Sequence, residues 1–122
     1  MKNNKAKQVL VTVYLVCHNY EDYVEQAIES VLAQTYKNFE LIIIDDGSTD
    51  NSRDVINRYV KYSNVRVIFQ ENKGLIATNN VAIRAANGKY VMRLDADDYL
   101  HESALLVLVD AIEESEDLAL VF

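Results

Sequence analysis

Short apolar runs rich in β-branched residues alternate along this chain with amphipathic stretches of helical period, and few folds accept that alternation. Residues 9–16, 40–44, 65–69 and 90–94 have the length and composition of strands. After the first, Val24, Ala27, Ile28, Val31 and Leu32 fall at i, i+3, i+4, i+7 and i+8, which predicts a helix over 22–35. Residues 45–51 (Asp-Asp-Gly-Ser-Thr-Asp-Asn) read as a turn. A second helix is expected over 52–62, with Val55, Ile56, Tyr59 and Val60 inward. A third is expected over 75–86, stopped by Asn87-Gly88, and a fourth over 103–115, with Leu105, Leu108, Val109 and Ile112 on one face. Residues 118–122 are expected to begin a fifth strand. Strands separated by helices mean βαβ units, right-handed crossovers and a mostly parallel sheet. The whole chain, 1–122, reads as one α/β domain: a Rossmann-like open sheet flanked by helices and cut after its fifth strand.

Charge and composition narrow the function. The chain has 12 basic and 19 acidic residues, net −7, without a basic run, which argues against nucleic acid as a partner. A single cysteine, Cys17, forms no intrachain disulfide and fits a reducing, cytoplasmic setting. Lys2, Lys5 and Lys7 precede an uncharged run. That run is β-branched and aromatic, and it lacks a small-residue cleavage site, so it reads as a buried strand rather than a secretory signal. It is also too short to span a bilayer, which takes about 20 residues.

In an open parallel sheet, ligands bind beyond the carboxyl ends of the strands. The residues there are Cys17, His18 and Asn19; Asp45, Asp46, Gly47 and Ser48; Glu71, Asn72, Lys73 and Gly74; and Asp95, Ala96, Asp97 and Asp98. The carboxylates among them are expected to crowd one edge, where a hard divalent cation would relieve their repulsion. Asp95 and Asp97, two apart in an extended segment, would face one ligand. The competing reading has Asp97 or Asp98 as a cap on the fourth helix. Asp46 can accept hydrogen bonds from a base or ribose, or be only a turn residue; His18 can stack on a base, or be structural. Cys17 reads as a small buried hydrophobe, His101 as a solvent-facing residue near the start of the fourth helix, and Lys73 as solvated. Neither Gly-x-Gly-x-x-Gly nor Gly-x₄-Gly-Lys-Ser/Thr occurs, and there are only three glycines, so the backbone offers no phosphate cradle and a diphosphate would be held through a metal.

Several of these motifs together resemble the start of a family 2 glycosyltransferase. They are His18-Asn19-Tyr20, Gln34-Thr35-Tyr36, Asp45-Asp46-Gly47-Ser48-Thr49-Asp50, Glu71-Asn72-Lys73-Gly74, Asn87-Gly88-Lys89-Tyr90 and Leu94-Asp95-Ala96-Asp97-Asp98. The resemblance implies a GT-A fold and sugar transfer, with inversion, from a nucleotide-diphosphate donor, typically a UDP-sugar, to a glycan or lipid-linked acceptor. It implies that Asp46 bonds the base, with His18 against it where the family usually has Tyr. Val16 takes the place of the usual Pro, Asn72 lies near the nucleotide, Asp95 contacts the ribose or diphosphate, and Asp97 binds Mn²⁺ or Mg²⁺. The family's catalytic base is expected beyond residue 122, so this chain would supply the donor half of the site. Two departures stand out: Val16-Cys17-His18-Asn19 replaces Pro-x-Tyr-Asn, and Asn79 stands where an Arg is expected in the third helix. A homodimer through the cut sheet edge, and peripheral association of the longer protein with the inner face of a membrane, are further expectations. The rival readings are a nucleotide-binding module that has lost transfer and a receiver-like signalling domain.

Overall fold

The computed structural model describes residues 9–114. In chain order the elements are β1 (Val11–Cys17), α1 (Val24–Leu32), β2 (Phe39–Asp46), α2 (Ser52–Asn57), β3 (Val65–Gln70), α3 (Leu75–Ala85), β4 (Tyr90–Asp95) and α4 (Ala104–Glu114). The strands form one parallel sheet in the order β3-β2-β1-β4. Cys17 pairs with Asp45 and Val16 with Asp95, so β1, β2 and β4 end at the same height. This is the expected mostly parallel α/β architecture. The order excludes a receiver-like domain, in which β3 lies directly beside β1.

Strand alternation sends side chains to two unequal layers. Val11, Val13, Leu15, Cys17, Leu41, Ile43 and Leu94 pack with Val24, Ala27, Ile28 and Val31 of α1, Val55 and Ile56 of α2, and Leu105 and Val109 of α4. Each fully buried aliphatic chain there contributes roughly 1.5–3 kcal/mol. On the opposite face, among the described residues, α3 packs, with Ala82 against Tyr14, Ile42 and Ile44.

Three local expectations are corrected. The second helix stops at Asn57, because Arg58 and Tyr59 bond back three residues rather than four. The tighter turn leaves Tyr59 inward, donating to Glu29 Oε2 at 2.6 Å, and turns Val60 outward at 52 % exposure. Asp45 and Asp46 belong to β2 rather than to the turn after it. Gly88 is not a left-handed helix stop: α3 ends at Ala85 with Ala86 extended. Gly88 is required instead by close approach, since a Cβ there would lie 2.5 Å from the Thr12 nitrogen. The expected fifth strand lies outside the described residues. Among those residues, no helix is long and apolar enough to cross a membrane.

Candidate functional site

A cavity of about 450 Å³ opens at the carboxyl ends of β1, β2 and β4, where the strand order reverses. Val16, His18, Asp46, Asn72, Asp95 and Asp97, the six residues singled out from the sequence, all line it. So do Tyr20, Gly74, Leu75 and Ala96. The volume is that of a small-molecule site.

One wall is built around Asp46, which is 4 % exposed. Its Oδ1 accepts from Gln70 Nε2 at 2.9 Å and from the Lys73 amide at 2.8 Å, and its Oδ2 accepts from the Gly74 amide at 3.1 Å. Burial pushes its pKa up, but these donors outweigh burial and hold the carboxyl below its ordinary value. A carboxylate has about four acceptor positions, so one position, on Oδ2, is left for an incoming N–H or O–H. The Asp46 carbonyl accepts from His18 Nδ1 at 2.8 Å and from Asn72 Nδ2 at 3.2 Å. A carbonyl cannot donate, so Nδ1 carries the proton and Nε2 is the acceptor nitrogen, with Asn19 Nδ2 3.5 Å away.

The loops behind this wall are stitched together. Asn19 adopts φ 61°, the left-handed region that Asn tolerates best after Gly. Its Oδ1 accepts from the amides of Thr49 at 2.7 Å and Asp50 at 3.2 Å, while its own amide donates to Ser48 Oγ at 2.9 Å. The Tyr20 amide donates to Ser52 Oγ at 3.0 Å. Gly47 has φ +75°, and a Cβ there would meet the Asn72 amide at 2.6 Å, so the turn after β2 and the loop after β3 touch through glycine.

The other wall is Asp95-Ala96-Asp97, and it is sparsely bonded. Asp95 is the last residue of β4, and the chain turns at Ala96 and Asp97 instead of staying extended, closed by the Asp98 amide on the Asp95 carbonyl at 3.0 Å. Asp95 is exposed, with Arg93 Nε 3.4 Å from its Oδ1. Asp97 is exposed, and among the described residues nothing donates to its carboxylate. Neither Asp97 nor Asp98 caps α4, which begins at Ala104.

The expected crowd of carboxylates is corrected. Asp45, one residue from Asp46, points to the opposite face, where its Oδ2 accepts from Arg53 Nε at 2.8 Å and the Ser48 amide at 3.1 Å. Glu71 is exposed and outside the cavity lining. Among the described residues, no three acidic, His or Cys side chains converge as a metal cluster. What remains, one unpartnered carboxylate with a second beside it, suits Mg²⁺ or Mn²⁺, which take one or two carboxylates and fill their shells with water and substrate phosphates.

Asn79 does not reach the cavity; its Oδ1 accepts from the buried Tyr14 hydroxyl at 3.0 Å. Cys17 is fully buried, and burial pushes its thiol pKa up, as its reading as a small hydrophobe requires. Lys73 serves the site through its backbone amide. His101 is exposed but lies ahead of α4, and its carbonyl is an anchor point for Gln34. Tyr20 and Gln34 stand in the sequence motifs without an assigned role, and Leu75 and the clamp formed by Asn19 have no sign there; the buried Gln34 amide ties α1 to the loop after β4. A polar residue at a helix end carries no local sign of such a bond.

An open parallel sheet with a crevice at its switch point, walled by carboxylates rather than by glycines, defines an α/β fold with a ligand crevice at its carboxyl edge. Comparison with known proteins carries this further. The chain belongs to glycosyl transferase family 2, whose model matches residues 12–122. It is 36 % identical over 114 residues to a chondroitin synthase of Escherichia coli, covering 93 % of this chain and 17 % of that protein. Among solved structures, it resembles residues 1–349 of S. aureus TarS in complex with UDP, with TM-score 0.78 and 29 % identity, over 85 % of this chain and 32 % of that one. It shares the fold of the mannosyltransferase PcManGT from Pyrobaculum calidifontis, solved with GDP-Man and Mn²⁺, with TM-score 0.73 and 24 % identity, over 84 % and 31 % of the two chains. The chain thus spans a third or less of the length of these relatives.

Proposed function

We propose that the cavity binds a nucleoside-diphosphate sugar, with uracil as the base, and that the whole protein transfers the sugar with inversion to a glycan or lipid-linked acceptor. The observation that carries this reading is the contrast between the two cavity walls. Asp46 is ionised, saturated on Oδ1 and open at one position of Oδ2, which matches a single imide N–H. His18, Asn72 and Val16 complete the base and ribose side. Asp97 is unpartnered and exposed beside Asp95, as a carboxylate awaiting a cation would be. TarS binds UDP and PcManGT was solved with Mn²⁺, which supports the same assignment.

In this reading Asp97 holds Mg²⁺ or Mn²⁺, and Asp95 contacts the ribose or diphosphate. The cation, when bound, supplies charge neutralisation for the departing diphosphate. The chain's own residues bind and orient: Asp46 fixes the base, and the rigid loops behind it hold the diphosphate direction constant. Cytoplasmic placement, pairing of two copies and contact of the longer protein with a membrane face belong to the same proposal.

Calorimetry with UDP and with uridine, each with and without Mn²⁺, tests it. Uridine should bind equally in both conditions and UDP should bind more tightly with Mn²⁺. Equal binding of UDP in both conditions would overturn the cation role, and no binding of uridine would overturn the role of Asp46.

A further inference from the structure

The turn bearing Asp97 has few bonds of its own, yet it leads into a loop that is tightly held from the far side of the sheet. Gln34, just past the end of α1, is fully buried. Its Nε2 donates to the His101 carbonyl at 2.7 Å and to the Ser30 carbonyl at 3.1 Å, and its Oε1 accepts from the Leu105 amide at 3.0 Å. Thr35 donates its amide to the Glu102 carbonyl at 2.9 Å. Ser30 Oγ accepts from the Leu100 amide at 3.0 Å while donating to the Ala27 carbonyl at 2.7 Å. The loop between β4 and α4 is therefore fastened at positions 100, 101 and 102, and the start of α4 at 105, a few residues beyond Asp97. The wall around Asp46 has no part in this network.

We infer that Gln34 is a positioning residue for the Asp97 turn: its amide, with Ser30, fixes where the carboxylate meets the cation and diphosphate without touching either. The inference rests on the nucleoside-diphosphate reading above. Outer groups of this kind typically change metal affinity by about 10–100-fold. Two carbonyls and an amide are spanned by one side-chain amide, and no apolar residue replaces those bonds.

The test is the affinity of Gln34→Met and Ser30→Ala for UDP and for uridine, with and without Mn²⁺. Gln34→Met should reduce the Mn²⁺-dependent gain in UDP affinity by about tenfold, with uridine affinity unchanged. Ser30→Ala, which removes one bond to the loop, should reduce that gain by about threefold; it carries the test if Gln34→Met does not fold. A merely structural role would lower uridine and UDP affinity together, or neither, and either result overturns the inference. If the unaltered chain shows no Mn²⁺-dependent gain, the proposed cation site fails first and the inference with it. If the unaltered chain shows the gain and both variants keep it, the inference alone fails.

Discussion

The two walls of the cavity are built on opposite principles. Around Asp46 every loop is cross-bonded: Asn19 clamps the turn after β2, Gly47 lets that turn touch Asn72, and three donors converge on one carboxylate. Around Asp97 the carboxylate stands free among the described residues, and order comes from behind, through Ser30, Gln34 and Thr35. The first arrangement suits a neutral, planar ligand part whose hydrogen bonds must be aimed in advance, because an unsatisfied buried donor costs about 1–3 kcal/mol. The second suits a charged ligand part that brings its own counter-ion and water.

The largest effect should come from Asp46→Ala. It strips the partners from Gln70 and the Lys73 and Gly74 amides at once, so unfolding free energy should fall by about 3 kcal/mol. UDP and uridine affinities should both fall, by about a hundredfold. Urea denaturation and calorimetry read the two quantities. A loss confined to UDP would erase the distinction between the walls.

Gly47→Ala should cost about 2 kcal/mol of stability, from left-handed strain and the contact with the Asn72 amide. Because it displaces the Asp46 wall alone, uridine binding should weaken while the ratio of UDP affinities with and without Mn²⁺ stays constant. A changed ratio would mean that the walls move together.

Asp97→Asn should do the reverse. The Mn²⁺-dependent gain for UDP should drop by at least about tenfold, or 1.4 kcal/mol, with uridine binding intact. Since nothing donates to this carboxylate among the described residues, the melting temperature should hold, as it does for most exposed substitutions, within about 0.5 kcal/mol. A substantial loss of stability would give Asp97 a structural role.

The smallest effect is on acid stability. Burial raises the Asp46 pKa, but its hydrogen bonds lower it further, leaving the folded value below the ordinary 3.8. Below 3.8 the unfolded chain therefore binds more protons than the folded one, and stability rises with pH there. The contribution is complete above the unfolded value and is lost as pH falls through the folded one. Asp46→Asn should flatten that acid loss, measured as urea midpoints between neutral pH and pH about 2. An unchanged acid limb would mean that the donors around Asp46 do not favour its charged form.

Much of the fold was legible because it is written in local period. The first four predicted strands and the four predicted helices are present among the described residues, the expected fifth strand lying outside them, and a boundary moved where backbone bonding tightened, as at Arg58 and Tyr59. The site residues were legible for a related reason: in a parallel sheet, residues after strands must gather at one edge. The errors came where two neighbours needed distinguishing. Asp45 and Asp46 look alike in sequence, yet the strand sends one to Arg53 and the other to the cavity.

The alternation of apolar runs and helical faces, together with the residues after each strand, determined by themselves an open parallel α/β sheet with a carboxylate-lined edge. Only the tertiary structure decided the rest: the strand order that rules out a receiver-like domain, the face on which each aspartate lies, and the roles of Gly88 and Gln34. These depend on partners far away in the chain, Thr12 for Gly88 and the loop after β4 for Gln34, 67 to 71 residues distant in the latter case. Local spacing encodes which way a side chain points from its own backbone. What waits at the other end of a hydrogen bond is set only when the sheet brings distant segments together.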